Sequence, residues 1–246
     1  VHDLYGNVWI KLSETGKIYK HNATTQRTLC MNCNINSKLS SLKTTVLFKD
    51  HSNTIWLGSD SGLFSYNPDL DSIIRYPLEI GMINSIANGQ KNEIWVGSSD
   101  GLVRVINGPN GDYKLYRKSN SKSSIVSNYI KDLAWDQSRN MLWIATDNGI
   151  SRYIPSEDKF FNIQTTPYAD SIVENDISEL MVATLSGRLW YTTATEPGIN
   201  CLSVDFSSES NSPPPANHFE HDPIDKKSIA DNNITDFIED KAGHVW

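Results

Sequence analysis

The 246-residue chain has no continuous apolar run approaching the roughly 18–20 residues that a membrane helix requires. It also has no apolar stripe at helical spacing, which excludes a helical bundle. Basic charge is scarce: 22 Lys and Arg stand against 29 Asp and Glu, for a net charge of -7. Lys122 and the pair Lys226-Lys227 are too scattered to meet phosphates as a patch, so nucleic acid is not an expected partner. Seven arginines give no indication of a carboxylate-binding cluster. Cysteine is limited to Cys30, Cys33 and Cys201, and a zinc site needs more ligands than that. No leader peptide is visible, since Val1 runs directly into Asp3-Leu4-Tyr5-Gly6. What remains, at 38% hydrophobic and 10% aromatic, suits an ordinary globular domain and is too apolar for disorder.

A repeat is the strongest feature present. Trp56-Leu57-Gly58-Ser59-Asp60-Ser61-Gly62-Leu63 aligns with Trp95-Val96-Gly97-Ser98-Ser99-Asp100-Gly101-Leu102 and with Trp143-Ile144-Ala145-Thr146-Asp147-Asn148-Gly149-Ile150. Each reads Trp, aliphatic, small, hydroxyl, two variable residues, Gly, aliphatic. A degraded copy ends at Gly187 and carries Met181 in the Trp position. Trp9 opens another copy with a longer turn, and Trp246 opens a sixth. The repeat motifs fall near 3–20, 44–76, 83–116, 130–163, 172–206 and 234–246. The triple proline within 207–217 reads as a loop insertion.

Upstream of the Trp lies an aliphatic strand ending in a turn, as in Ile130–Asp136 and Ile234–Asp240. The Trp follows Asp3, Asp50 and Asp240 by six residues, with Gly6, Asn53 or Gly243 midway. Asp suits the turn start because its carboxylate bonds nearby amides, and Gly or Asn tolerates positive φ. Downstream come two more short strands, giving four per period. A four-stranded unit of this length in tandem predicts an all-β fold, a β-propeller of antiparallel blades with about five repeats. Blades stack because one small sheet cannot bury both faces alone. The Trp would fill the space between sheets, and the small residue two positions on would let the next sheet approach. Five periods leave two expectations: a closed five-bladed ring, or, favoured here, part of a larger seven-bladed propeller.

Two groups of residues carry a family resemblance. One is His218–Pro223 with Ser228–Ile234 and Glu239–Trp246; the other is Tyr116–Lys118 with Ser123–Ile130. Both resemble the two-component regulator propeller repeat, the periplasmic sensor region of bacterial hybrid two-component sensor histidine kinases. The resemblance implies an extracytoplasmic, ligand-sensing part of an inner-membrane receptor, responding to an oligosaccharide or another nutrient signal. It also implies neighbouring propeller or β-sandwich domains, dimerisation through the full-length receptor, and a kinase or diguanylate cyclase output elsewhere in that protein. Met181 and the long first turn depart from the pattern.

No catalytic constellation, cofactor site or metal site is expected. The recurring Asp loosely resembles a sialidase Asp box, but its recurrence marks a turn-former. His218 and His221 lie within a pre-strand segment of the repeat. Cys30-Met31-Asn32-Cys33 is expected in a loop between blades as a bland pair, able to pair locally in an oxidising compartment. Asn22-Ala23-Thr24 and Asn233-Ile234-Thr235 match glycosylation sequons by chance. Ligand contacts are expected from one face, where turns between second and third strands meet the loops linking blades. The candidates are Asp60, Asn84, Asp100, Asn128, Tyr129, Asp147 and Asn148. Two other readings stand behind the sensor: a non-catalytic protein–protein scaffold propeller, and a propeller hydrolase or lyase.

Overall fold

The computed structural model describes residues 1–33, 42–164, 172, 175–183, 186–204 and 216–246. Among these, every regular element is a strand apart from one 3-10 turn at Gly108–Asn110. The first sheet has three strands, β1 (Asn7–Lys11), β2 (Ile18–Asn22) and β3 (Arg27–Cys30). The second has β4 (Thr44–Lys49), β5 (Ile55–Ser59), β6 (Gly62–Asn67) and β7 (Ser72–Arg75). The third has β8 (Ile83–Asn88), β9 (Glu93–Ser98), β10 (Gly101–Ile106) and β11 (Tyr113–Tyr116). The fourth has β12 (Ile130–Asp136), β13 (Met141–Thr146), β14 (Gly149–Ile154) and β15 (Lys159–Ile163). The fifth has β16 (Ile177–Ala183), β17 (Arg188–Thr193), β18 (Ile199–Ser203) and β19 (Asn217–Phe219). In every sheet the strands neighbour one another in chain order. Sheets of this kind, repeated in tandem, are propeller blades.

The chain divides into two compact units, Val1–Leu115 and Tyr116–Trp246. In the first, each core cluster is the filling between two successive sheets. Trp9, Ile18 and Leu42 pack against Ile55, Leu57, Phe64 and Ile73 of the second sheet. Trp56, Leu63, Tyr76 and Leu78 pack in turn against Ile83, Ile86, Val96 and Val103 of the third. In the second unit, Trp143, Ala145 and Ile150 of the fourth sheet pack against Ile177, Leu180, Leu189 and Tyr191 of the fifth. Trp9, Trp56, Trp95 and Trp143 are all fully buried, and truncating one to Ala should cost about 3–5 kcal/mol.

The small residue after the Trp has the role expected of it. A Cβ on Gly58 would lie 2.5 Å from Ile83 Cγ2 and 3.2 Å from Val46 Cβ, so only hydrogen fits between β5 and the next sheet. The Asp turn is also built as the sequence suggests, with one addition. Asp50 accepts the Ser52 and Thr54 amides on one carboxylate oxygen and the Trp56 indole N–H on the other, each at 2.8 Å. Asp3 holds the Tyr5 and Asn7 amides and Trp9 in the same way. Burial pushes the Asp3 carboxyl up, but hydrogen bonds from Trp9, Asn7 and the amides outweigh it and hold it below the ordinary value. The residue three before each Trp has positive φ in all five cases: Gly6, Asn53, Asn92, Asn140 and Gly243. Asn92 and Asn140 thus do the work of the glycines in turns that do not begin with Asp six residues before the Trp.

Several expectations change. The first sheet has three strands rather than four. Trp246 is 74% exposed, unlike its buried counterparts, although Asp240 still accepts its indole N–H at 3.0 Å. The segment 234–240 is not a regular strand; it is tied to 245–246 by a Glu239–Val245 bridge and paired bonds between Ile238 and Trp246. Cys30 lies on β3 rather than in a loop between blades, because its backbone pairs with Tyr19. It forms a disulfide with Cys33, their Cα atoms 5.4 Å apart. The Met181 side chain, and residues 207–215 of the expected insertion, lie outside what is described; Asn217 of that insertion opens β19. In register, Met181 faces Trp190 on β17, so an indole sits on the neighbouring strand where the motif strand lacks one.

Candidate ligand-binding edge of the blades

The hydroxyl of the repeat closes the turn between second and third strands. Ser59 Oγ donates to Gly62 O at 2.9 Å and accepts the Ser61 amide at 3.1 Å. Ser98 does the same with Gly101 O and the Asp100 amide, and Thr146 with Gly149 O and the Asn148 amide. Gly62, Gly101 and Gly149 have φ of 124°, 128° and 115°, a conformation closed to L side chains. Gly187 also has positive φ, at 63°. The frame therefore rests on the hydroxyl and the glycine, and the two residues between them project from it. Those residues include Asp60, Asp100, Asp147 and Asn148; Asp60 and Asp147 are exposed and the other two half-buried.

A second device brings the loops to the same edge. Register shifts between Thr44 and Val46, Ile83 and Ser85, and Ile130 and Asp132 mark a bulge near the start of each of these first strands. A fourth lies between Ile177 and Leu180. The bulged residues are Thr45, Asn84, Lys131 and the pair Ser178-Glu179. Bulges re-aim side chains that a regular ladder would alternate. In the first unit, the Asp60 amide bonds Lys43 O at 3.3 Å and the Ser99 amide bonds Met82 O at 2.9 Å. Asp60 and Ser99, the neighbour of Asp100, are thereby tied to the strand entries that carry Thr45 and Asn84. Thr45 Oγ1 also reaches Ile83 O of the next sheet at 2.5 Å.

In the second unit, the Gly149 amide bonds Asn175 O at 2.6 Å, and Gln164 Nε2 bonds Asn148 O at 2.9 Å. Tyr129 is exposed beside the start of β12. Asn128 is already engaged, because its side-chain oxygen accepts the Lys118 amide at 2.6 Å. Asn232 repeats this arrangement with the His221 amide at 2.6 Å, so the position is part of the loop's own scaffold. His218 Nδ1 and Nε2 lie 2.7 Å from Asn200 Oδ1 and 2.8 Å from Glu220 Oε1, while His221 Nδ1 lies 2.7 Å from Ile229 O.

Charged residues on the first strands were not singled out in the sequence. Lys131 Nζ pairs with Asp176 Oδ1 at 2.5 Å, and Asp132 Oδ2 accepts the Leu180 amide at 2.9 Å. Burial, with repulsion from Asp132 and then Asp236, pushes the Glu179 carboxyl above its ordinary value. Asp132, Glu179 and Asp236 stand at one repeat position, two after Ile130, Ile177 and Ile234, and that recurrence is a signal the sequence does carry. Among the described residues, no three His, Cys, Asp or Glu side chains gather as a metal site. In the first unit this edge carries hydroxyls, an amide and carboxylates, and in the second a carboxylate, an amide and a tyrosine face, each a set chemically suited to polar ligands.

No protein-family model matches the chain, and no curated protein does. Solved structures do. The extracellular domain of the putative hybrid two-component system BT4673 from B. thetaiotaomicron aligns over all of this chain with a TM-score of 0.65 and 16% identity. That of BT3049 from the same organism aligns over 82% of it, also with a TM-score of 0.65 and 16% identity. Virginiamycin B lyase from Staphylococcus aureus aligns over 84% of this chain and 66% of its own, with a TM-score of 0.61 and 15% identity. The chain spans 36% and 27% of those two extracellular domains. No helix among the described residues is long and apolar enough to cross a membrane. The chain thus has the propeller-blade fold seen in the extracellular domains of hybrid two-component systems.

Proposed function

We propose that the chain is the extracytoplasmic sensing part of a bacterial two-component receptor of the regulator-propeller family, binding an oligosaccharide or another nutrient signal without chemistry of its own. The observation that carries this is the latched-turn edge, where a constant frame presents variable polar residues. The resemblance of 116–130 and 218–246 to the family repeat supports it, as does the fold shared with sensor domains over the whole chain. The Cys30–Cys33 disulfide supports an oxidising, periplasmic location. In this reading the blades belong to a larger, seven-bladed ring flanked by a further propeller or a β-sandwich. The ligand-contact candidates are Asp60, Asn84 and Asp100 on the first unit and, separately, Tyr129, Asp147 and Asn148 on the second, where Asn128 holds the loop.

The test is a thermal-shift screen of oligosaccharides on the purified chain, followed by autophosphorylation of the full receptor in membrane vesicles. A hit should raise the melting temperature, change phosphorylation, and lose both effects when Asn84 and Asp100 are changed to Ala. Reproducible turnover of any glycan by the purified chain would overturn the non-catalytic reading in favour of a lyase or hydrolase. A full-length gene encoding no membrane helix would overturn the receptor reading.

A further inference from the structure

In the fifth sheet the ladder makes β17 the counterpart of β13. Thr193 pairs with Ile177 as Thr146 pairs with Ile130, which places Trp190 at the position of Trp143 and Thr192 at that of Ala145. A small residue here lets the next sheet approach, as Gly58 does for Ile83 and as Ala145, packed with Ile177, does in the fourth sheet. Thr192 is larger, and the next isoleucine of the series, Ile234, is only half-buried where Ile83, Ile130 and Ile177 are fully buried. The turn that follows is longer as well. Residues 194–197 separate Thr193 from Gly198, where the second, third and fourth sheets have two residues, and Thr193 Oγ1 closes on Glu196 O at 3.1 Å. The Gly198 amide bonds Asn232 O at 3.0 Å, which ties the following loop to this turn. Between the turn, the loop and the Ser178-Glu179 bulge lies a cavity of about 440 Å³, entirely within the second unit.

The lining selects a chemistry. Glu179, Glu196 and Asp231 border the cavity, and among the described residues no Lys or Arg does. Lys131 is spent on Asp176. Burial, then repulsion from Asp132 and Asp236, pushes the Glu179 carboxyl up, so the field at this wall is negative. Among the described residues the carboxylates do not gather as a metal site. Thr192 gives a second, independent pointer to a ligand. Leu189 and Tyr191 point into the core against the fourth sheet, so Thr192, one residue on, points to the opposite face, where the cavity lies. It is 7% exposed, yet its hydroxyl has no hydrogen-bond partner among the described residues and stays open to the cavity. A hydroxyl held this deep without a partner is costly unless something in the cavity bonds it. The Ser178 hydroxyl and the Asn233 amide stand on the same wall. The volume lies within the ligand-pocket range of about 300–1,000 Å³ and fits one sugar ring. We infer that this cavity binds an amino sugar with a free ammonium group, the cation meeting the carboxylates and the sugar hydroxyls meeting Ser178, Thr192 and Asn233. That such a ligand is a signal rests on the sensing reading; that it binds does not.

The experiment is an amide NMR titration of the whole chain with glucosamine, and with N-acetylglucosamine as the same ring without the charge. Glucosamine should bind saturably with a Kd of about 1 mM and shift the amides of Ser178, Thr193 and Asn233. N-acetylglucosamine should bind roughly tenfold more weakly, since it lacks the charge-assisted hydrogen bond. Glu179→Gln should weaken glucosamine about tenfold and leave N-acetylglucosamine unchanged. Thr192→Val keeps the shape, removes the hydroxyl, and should weaken both sugars about threefold. Tyr129→Ala and Asp147→Ala should not move this titration, and receptor phosphorylation is not read in it, so its failure and that of the sensing reading are distinct. Absence of saturable shifts with either sugar overturns the inference, as does equal affinity for the two. Glucosamine binding that survives unchanged in both Glu179→Gln and Thr192→Val overturns the site. If Thr192→Val does not fold, Glu179→Gln and Glu196→Gln decide, and an unchanged titration in both overturns it.

Discussion

Gly58→Ala adds one methyl group where two blades meet, and its cost follows from the geometry. The backbone of Gly58 is ordinary β-strand, so the substitution brings no torsional strain and slightly improves strand propensity. The new Cβ would stand 2.5 Å from Ile83 Cγ2, 2.9 Å from Ile83 Cβ and 3.2 Å from Val46 Cβ. Ile83 is fully buried and its own backbone carbonyl is held by Thr45, so β8 cannot yield without loosening the next sheet. Overpacking of this kind costs about 1–3 kcal/mol. For a domain of this size that is a fall in melting temperature of about 2–4 °C per kcal/mol. Urea denaturation at equilibrium measures it directly. Ile83→Ala alone should cost about 2–5 kcal/mol through the cavity it leaves. In the double variant the new methyl occupies part of that cavity, so the two changes should couple favourably by about 1–2 kcal/mol. A Gly58→Ala cost within about 0.5 kcal/mol of zero, or strict additivity in the double variant, would falsify the claim that glycine is required here by the approach of the next blade.

Asp50→Ala should cost about 3 kcal/mol in the same assay, since it strands the buried Trp56 indole N–H together with two turn amides; Asp50→Asn should recover part of the loss. Glu179→Gln should raise the melting temperature at neutral pH. The folded-state pKa of Glu179 is raised above the unfolded value, so its contribution is most favourable below about pH 4.3 and is lost as pH rises through the folded value. Wild type and variant should therefore converge in acid, and a gap that persists below pH about 4 would refute the electrostatic explanation. Reducing the Cys30–Cys33 disulfide should cost about 2 kcal/mol by loop-closure entropy. It should also speed hydrogen exchange at Ile18, whose amide is held by the Asn32 side chain inside that loop. Asn32→Ala should reproduce the exchange without reductant, and protection that survives both changes would show that the loop does not hold this junction.

The blade was legible in the sequence because its constraints are local. A Trp, a small residue, a hydroxyl and a Gly at fixed spacing are the parts of one strand–turn–strand unit, so spacing alone reveals them. The reason for the hydroxyl was not legible, since Ser59 and Thr146 act through backbone atoms that a sequence does not display. The second oxygen of Asp50 was missed for a similar reason: six residues of separation do not announce that the indole folds back onto its own turn. Asn92 and Asn140 replace glycine at positive φ in turns whose Asp is absent or displaced, so they escaped a pattern keyed to Asp. The bulges hid Asn84's equivalents, because one extra residue shifts the alternation by which facing is read. The partners of the motif Trp needed the register, which pairs Lys20, Ser65, Arg104 and Arg152 with Trp9, Trp56, Trp95 and Trp143 only once the strands are aligned.

The latched turn separates what must stay from what is free to drift. Ser59 with Gly62, Ser98 with Gly101 and Thr146 with Gly149 close their turns, and the intervening residues are tied to neighbouring segments through backbone atoms that every residue type but proline supplies, so the pairs 60–61, 99–100 and 147–148 should tolerate randomisation without unfolding a blade. A combinatorial library at these six positions is in effect a set of recognition loops on a ready-made frame, and selection for a new ligand can act there while the rest of the chain stays constant.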